Sequence, residues 1–503
     1  MARYRITRRS FLQSIAGAGA AVAIGSARSW AQVPGANGDV RVAVLGLNGR
    51  GKNHLASLAR LPGARVVAIC DPDTAVLDQV APTVAGRVER YTDLRRLLES
   101  PDIDAITIAT PNHWHALAAI WGCQAGKDVY VEKPVSHNVW EGRQLVAAAA
   151  KYGRVVQAGM QIRSGEGLQE AVAWIRAGGL GRITASRGFC YKFRGSIGKT
   201  SGPQPVPATV DYDVWSGPAP AGPLRRARFH YDWHWQFVTG NGDIGNQGIH
   251  QMDVARWFLG EPGLPRHTLS VGGRLGYDDD GDTPNTQIIV HDYPSAPLIF
   301  EVRGLPAKAG LVDASLPQSG SAEAAAARAD AMDKYRGVRV GNIVDCEGGY
   351  LEVPSYFAAT AYDRDGRIVR QFSGEDRHMQ NFIDVVRSRK VSDLYGRIEE
   401  GHVSSALCHV GNISHQLGRA MAPGELRERL AGDRVAAEAY DRMAAHLDAN
   451  GVDLTRTPAT LGLPLTIAPG TERFGGSEAA TADVLLTRQY RAPFIVPKLD
   501  QGS

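Results

Sequence analysis

The sequence predicts an α/β fold: a doubly wound parallel sheet, followed by an α+β domain built on a large mixed, mostly antiparallel sheet. Three observations carry this. From Asp39 to Ala158, short apolar runs alternate with segments of helical periodicity, the rhythm of strand–helix–strand units. The first run ends in a glycine turn, Gly46-Leu47-Asn48-Gly49-Arg50-Gly51, that opens a helix. Beyond residue 162 the texture changes to isolated strand-like runs separated by Gly- and Pro-rich stretches. A chain of 503 residues accommodates two or more domains.

The elements follow in order. Asp39 to Leu45 runs into Val42-Ala43-Val44-Leu45, a strand buried on both faces. A helix over His54 to Arg60 is broken by Pro62-Gly63, and Ala64 to Cys70 forms the second strand. Tyr91-Thr92-Asp93 leads into a helix through Leu98. Strand Ala105 to Ala109, helix Ala116 to Ala125, strand Asp128 to Val131, helix Val139 to Lys151 and strand Arg154 to Ala158 complete the first domain. The second domain begins with a helix over Leu168 to Ala177 and a strand over Ile183 to Tyr191. After the Gly/Pro-rich stretch Gly195 to Pro223, strands are expected at Thr286 to His291, Leu298 to Arg303, Tyr350 to Val353 and Arg367 to Gln371. Ala307 to Arg336 reads as a surface insertion with a helix over Ser321 to Lys334. Helices over His378 to Arg389 and Gly401 to Gly418 precede a long tail. The resulting division is 1–31, a leader; 39–160, the parallel-sheet domain; 161–420, the second domain; and 421–503, an extension packing on the domains or on a neighbouring subunit.

The glycine turn carries the first chemical signal. Tight curvature and close approach of a pyrophosphate need glycines, and a helix N-terminus receives the negative charge. Gly46 and Gly51 occupy the first and third places of a dinucleotide fingerprint. Asn48 replaces the second, beside Gly49, and asparagine is the non-glycine residue most tolerant of positive φ. Asp71 ends the second strand about 20 residues further on, where a carboxylate accepts both ribose hydroxyls of NAD. It would repel a 2′-phosphate, so NAD is expected over NADP; Arg50 and Lys52 weaken that preference.

At the N-terminus, Arg8-Arg9 precede the apolar stretch Ile15 to Ile24, too short to span a bilayer. Ser29-Trp30-Ala31 then offers small residues for cleavage. This reads as a twin-arginine export signal, which places the mature chain in the periplasm or otherwise outside the cytoplasm. Residues 1–31 hold five arginines and no acid, so their removal turns a net charge of +4 into a slight excess of acid. That balance gives no case for nucleic acid or an anionic membrane as partner. Five scattered cysteines without a Cys-x-x-Cys pair read as free buried thiols. No His-Glu-x-x-His or paired-cysteine spacing indicates a metal.

Two further motifs narrow the reading. Ala109-Thr110-Pro111-Asn112-His113-Trp114-His115 follows the third core strand, and Glu132-Lys133-Pro134 follows the fourth. Together they resemble the Gfo/Idh/MocA oxidoreductases, the group of glucose–fructose oxidoreductase and inositol dehydrogenase. The ending Arg488-Gln489-Tyr490-Arg491-Ala492-Pro493 is similar to the tail of their exported branch. The resemblance implies that Thr110, Pro111, Asn112 and His115 line the cofactor crevice. It implies that Glu132 orients the nicotinamide end, that Lys133 reaches the substrate hydroxyl, and that a cis peptide precedes Pro134. A buried ammonium with a lowered pKa suits that task.

In the second domain, family dehydrogenases carry an acid four residues before a histidine. Here those positions are Asn246 and His250, one helical turn apart, leading into a helix over Val254 to Leu259. His250 is the expected acid–base partner of Lys133. Asn246 binds a hydroxyl but cannot shuttle a proton. Asp253 reads as structural. Tyr231-Asp232-Trp233-His234-Trp235 offers rings and polar groups for a sugar, with His234 and Trp235 as substrate contacts. Gln161 and Arg163 sit at the domain junction as polyol ligands, and Arg194, Ser196 and Lys199 lie in a loop that reaches the cleft. The expected function is an exported NAD(P)-dependent oxidoreductase of sugars, polyols or their derivatives, holding its nicotinamide tightly. The alternative, also implied by the resemblance, is a redox-neutral glycoside hydrolase or lyase with catalytic NAD. A sugar-binding protein without catalysis is a third possibility, opposed by Lys133 and Asp71. The resemblance also implies a homodimer or homotetramer, assembled through the open face of the second-domain sheet.

Overall fold

In the computed structural model, which describes residues 38–312 and 322–499, the first six strands form one parallel sheet. They are β1 (Val40–Leu45), β2 (Ala64–Cys70), β3 (Glu89–Tyr91), β4 (Ala105–Ile108), β5 (Asp128–Val131) and β6 (Val156–Ala158), in the spatial order β3-β2-β1-β4-β5-β6. Strand order reverses between β1 and β4, and this switch point opens a crevice at the carboxyl ends. β1 is apolar on both faces because both are covered: Val42 and Val44 pack with Leu58 and Val80, while Ala43 and Leu45 pack with Leu97 and Leu117. The twin-arginine segment lies outside the described residues.

Two helices of this domain start earlier than their apolar periodicity suggests. α1 (Arg50–Leu58) begins on the glycine turn itself, not at His54. α2 (Asn112–Gln124) begins directly after Pro111, not at Ala116, since the fixed φ of proline suits a helix start. α3 (Val139–Lys151) coincides with its expected span; the Asn138 side chain caps it by accepting from the Glu141 amide at 2.9 Å.

The second sheet is larger than expected. Its strands are β7 (Ile183–Tyr191), β8 (His267–Gly273), β9 (Thr286–Asp292), β10 (Leu298–Arg303), β11 (Val340–Cys346), β12 (Gly349–Val353), β13 (Ala358–Asp363), β14 (Ile368–Ser373), β15 (Arg419–Ala420), β16 (Thr460–Leu461), β17 (Leu465–Ile467) and β18 (Phe474–Gly475). The main order is β14-β13-β12-β11-β7-β10-β9-β8-β16-β15, with β17 also on β8. β10 and β7 are parallel and the other pairs antiparallel, so the sheet is mixed. β8, β11, β13 and the short β15–β18 were not expected: glycines and polar residues hide the alternation in β8 and β11, β13 is alanine-rich, and the last four span only two or three residues each.

Four more helices frame this sheet, α4 (Glu166–Arg176), α5 (Ile249–Leu259), α7 (Ile398–Gln416) and α8 (Arg434–Ala449), whereas α6 (His378–Ser388) packs on the first sheet, with Phe382 and Ile383 in one core with Val40 and Val42. The sheet faces are covered differently. On one, Ile249 and Met252 of α5 pack against Ile289, Leu298 and Phe300. On the other, Tyr440, Met443 and Leu447 of α8 pack against Ile288 and Ile299. Residues one apart on the same strands thus serve opposite cores. Phe189, Tyr191 and Ile343 on this outer face are covered by Met332 of the 307–336 insertion and by Val338 just beyond it. The outer face from β8 to β11, expected to be open for assembly, is therefore occupied by the chain's own extension and insertion. The end of the tail crosses to the first domain, where Phe494 stacks edge-on against Trp114 and the Leu499 amide donates to Gln144 at 2.6 Å. All five cysteines are free and buried. No helix among the described residues is long and apolar enough to cross a membrane.

Candidate active site

The glycine turn builds one end of a cleft of about 640 Å³ that runs between the domains. Gly46 lies at φ +80°, and a Cβ there would sit 2.6 Å from the Ala109 carbonyl oxygen. A Cβ on Gly51 would approach the Gly46 carbonyl oxygen to 1.9 Å, so Gly51 packs helix to strand rather than lining the cleft. Gly49 faces open space and is the N-cap of α1, with no side-chain cap and no acid in the first turn. Uncapped amides beside an acid-free helix start fit a pyrophosphate. Asn48 does not use its tolerance of positive φ: among the described residues only Arg336 and Arg389 are non-glycines in that region.

Asp71 is buried where the cleft leaves β2, and its carboxylate accepts from the Leu47 amide at 2.9 Å and the Asp73 amide at 3.0 Å. Burial pushes its pKa up, against the pull of those two amides. The cations that left NADP open point elsewhere. Arg50 donates to Glu132 at 2.8 Å, and Lys52 reaches Gln79. The residues present therefore fit a dinucleotide with a free 2′-hydroxyl.

Thr110, Pro111, Asn112, His115, Glu132 and Lys133 also line the cleft. His115 ties their two loops together, with Nδ1 2.6 Å from the Pro134 carbonyl and Nε2 2.8 Å from that of Thr110. Asn112 donates to Asn241 of the second domain at 3.0 Å. Glu132 is 4% exposed, and burial raises its pKa. His54 at 3.1 Å, with Arg50 and Lys133, outweighs that and holds it well below the usual carboxylate range.

The Lys133–Pro134 peptide is cis. The Lys133 Nζ donates to the backbone carbonyl of Asn246 at 2.5 Å. Burial lowers its pKa, Glu132 pulls it back up, and it settles at about 8. Asn246 lines the same wall, with Gln247 and His250. A single π turn over Ile244–Gly248 precedes α5, so the helix starts at Ile249 rather than Val254; π turns recur at functional sites. His250 is 5% exposed, and its Nδ1 is buried without a hydrogen-bond partner. Burial and the Lys133 charge hold its pKa well below the ordinary imidazole value.

Four substrate contacts were expected. His234 lines the cleft, stacked on Trp233 at 3.6 Å between ring centroids, and burial lowers its pKa to about 3. Gln161 lines it too, but its amide donates to Tyr130 at 2.8 Å and Glu132 at 3.1 Å. Arg163 is corrected: its guanidinium grips Asp253 at 2.8 and 3.0 Å and Glu400 at 3.1 Å, away from the cleft. Trp235 is corrected as well, because it packs under the Arg194 guanidinium instead of facing the cleft. Arg194 is bound to Asp243 at 2.7 Å, and Ser196 to Asp279 at 2.8 Å. Tyr356 was missed: its hydroxyl accepts from Gln247 at 2.9 Å, and its ring lies 5.2 Å from that of His250. It lies between β12 and β13 without a motif. Among the described residues no cluster of His, Cys, Asp or Glu fits a metal ion.

Residues 40–160 match the family model described as oxidoreductase family, NAD-binding Rossmann fold. Residues 175–274 match its C-terminal alpha/beta domain. The chain is 27% identical over 273 residues to levoglucosan dehydrogenase of Pseudarthrobacter phenanthrenivorans, covering 50% of this chain and 63% of that protein. It is 33% identical over 152 residues to scyllo-inositol 2-dehydrogenase (NAD(+)) of Bacillus subtilis, covering 30% and 44%. It is 37% identical over 120 residues to a glycosyl hydrolase family 109 protein of Shewanella sp. strain MR-4, covering 22% and 26%. Each match thus spans less than two thirds of the relative. The WlbA dehydrogenase of Bordetella pertussis, solved with NADH and UDP-GlcNAcA, shares the fold with a TM-score of 0.51 at 19% identity, covering 73% of this chain and 94% of that one. With both domains matched in order around one cleft, the chain belongs to the Gfo/Idh/MocA oxidoreductase family.

Proposed function

We propose that the chain is an NAD-dependent oxidoreductase acting on a carbinol of a sugar, polyol or sugar derivative. One observation carries this reading: Lys133, poised near pH 8, hangs on the Asn246 carbonyl beside the unpartnered His250, in the cleft that begins at Gly46 and Asp71. When bound, the nicotinamide supplies the acceptor for the substrate's hydride. Lys133 takes the hydroxyl proton, and the neutral imidazole of His250 relays it. The Asn246 amide, Gln247 and His234 orient neighbouring hydroxyls, and Tyr356 closes that wall. Levoglucosan and inositol in the names of two relatives support a carbohydrate.

A second reading is favoured by one departure. Asn246 stands where family dehydrogenases carry an acid, and glycosyl hydrolase family 109 proteins are among the relatives. In that case the same lysine and histidine serve a glycoside cleavage with no net redox change.

We extend the proposal to location and cofactor economy. Arg8-Arg9 and the apolar run behind them support twin-arginine export of the folded chain. An exported enzyme without a free nicotinamide pool must carry its cofactor with it. The test is to denature protein purified without added cofactor and identify released nicotinamide by mass spectrometry. Native protein is then followed at 340 nm with a panel of sugars and glycosides. Reduction that persists until a carbonyl compound is added supports the oxidoreductase. Glycoside cleavage without reduction replaces it with the second reading, and failure to release or bind nicotinamide removes both.

A further inference from the structure

We propose that residues 206–236 of the second domain are a strap across the cofactor crevice, latched by His230 on Asp73, that makes the dinucleotide a resident group. The inference rests on the NAD reading above and adds residues outside the parallel-sheet domain to the cofactor site.

The strap is anchored on both sides of the switch point. On the β2 side it joins Pro72, Asp73 and Thr74, just past the end of the strand. The Thr74 amide donates to the Thr209 carbonyl and the Asp211 amide to the Pro72 carbonyl, each at 3.0 Å, and Val210 bridges Asp73. The His230 Nε2 lies 2.8 Å from the Asp73 carboxylate, which is 4% exposed. Asp73 is fixed from behind, since its other oxygen caps the next helix by accepting from the Ala75 amide at 2.9 Å. On the β4 side the strap meets α2. The Trp114 Nε1 donates to the Trp215 carbonyl at 2.9 Å, and the His113 Nε2 lies 3.0 Å from the same oxygen.

Between these anchors Val214, Trp215, His230, Tyr231 and Trp233 line the cleft, facing Asp71, Pro72 and Thr92. The strap also has a core of its own. Trp215, Leu224, Phe229 and Trp233 pack together, and the Arg226 guanidinium lies 4.7 Å from the Trp215 ring. The tail fastens it a third time, where the Arg491 Nε donates to the Ala219 carbonyl at 3.2 Å and a terminal nitrogen meets the Asp213 carboxylate at 2.5 Å. A segment bonded at both rims and stiffened by aromatic packing does not open by a side-chain rotation. Release of a dinucleotide then requires breaking several contacts together, which slows dissociation.

The experiment measures cofactor exchange rather than turnover. Full-length wild-type protein is loaded with isotope-labelled NAD and chased with excess unlabelled NAD, and the label retained is read by mass spectrometry. His230→Ala removes the latch, and Arg491→Ala removes the tail clamp at the other end. Each is expected to speed release about tenfold, the loss of one charge-assisted contact. His230→Gln, which keeps a donor, is expected to restore most of the retention. Two variants at separate anchors guard against one failing to fold, and thermal melts show which are folded. Label held for hours by the wild type, with faster loss from folded variants, is the expected result. Exchange within seconds, or variants that release at the wild-type rate, overturns the strap and leaves the NAD reading standing. Protein that neither carries nor takes up labelled NAD overturns both.

Discussion

Two buried polar clusters meet on helix α5 and are built on opposite rules. Around Asp253 every charge is answered: Arg163 grips it in bidentate fashion, Ser404 donates to it at 2.6 Å, and Arg256 turns to Glu400 at 2.5 Å. Three residues earlier on the same helix, His250 has a buried nitrogen with no partner, and the nearby Lys133 is held only by a backbone carbonyl. An isolated polar group under burial costs free energy unless it is paired. The paired cluster fastens α5 to α7, whereas the incomplete one leaves hydrogen-bonding capacity open in the cleft. Neither burial nor an unmet valence marks a functional residue alone, since Trp235 Nε1 and His291 Nε2 are also buried without a partner; what sets His250 apart is an unmet valence in a residue that lines the cleft beside Lys133.

The comparison breaks first at Lys133. Lys133→Ala is expected to lower turnover by about 10³-fold, with NAD retention and melting temperature close to wild type. Turnover within tenfold of wild type would move the chemistry to another residue. The matching change in the paired cluster, Arg163→Ala, is expected to cost about 3 kcal/mol of stability, because buried Asp253 loses its bidentate partner and keeps only Ser404 and the more distant Arg256 at 3.8 Å. Denaturant titration reads that loss, and a variant as stable as wild type would refute the structural role.

A pH profile sharpens the contrast. Proton removal needs the neutral amine, and Lys133 titrates near 8. The oxidation-direction kcat/KM should therefore climb about tenfold per unit below that value and level off above it. Because Glu132 raises the lysine's pKa, Glu132→Gln is expected to shift the rise to lower pH; a shift upward would contradict the electrostatic account. The smallest effect is expected at Asn246. Asn246→Asp places a carboxylate beside Lys133, which should move the same rise upward by about one unit and change the plateau only a few-fold. A pH profile indifferent to this change would place the side chain away from the lysine's ammonium.

The motifs around the nucleotide end were legible because they are local. A glycine that must lie at φ +80° under a neighbouring carbonyl, a strand buried on both faces, and an acid at the end of the next strand all leave short-range marks. The same holds for the Glu132-Lys133-Pro134 turn, whose cis peptide was expected from the resemblance. The substrate end was legible only in part. His250, Asn246 and His234 do line the cleft, but Arg163 and Trp235 were assigned to it on proximity along the chain. Their partners, Asp253 at a separation of 90 residues and Arg194 on the far side of a loop, carry no signature near them.

By itself, then, the sequence determined most of the parallel-sheet domain, though not the short β3, together with its dinucleotide turn and the lysine that follows β5, since each is set by backbone sterics and periodicity within a few residues. Only the tertiary structure decided which buried charges are spent on pairing. It also decided that the tail covers the outer sheet face and that 206–236 crosses the crevice, because those outcomes depend on side chains brought together over more than a hundred residues of chain.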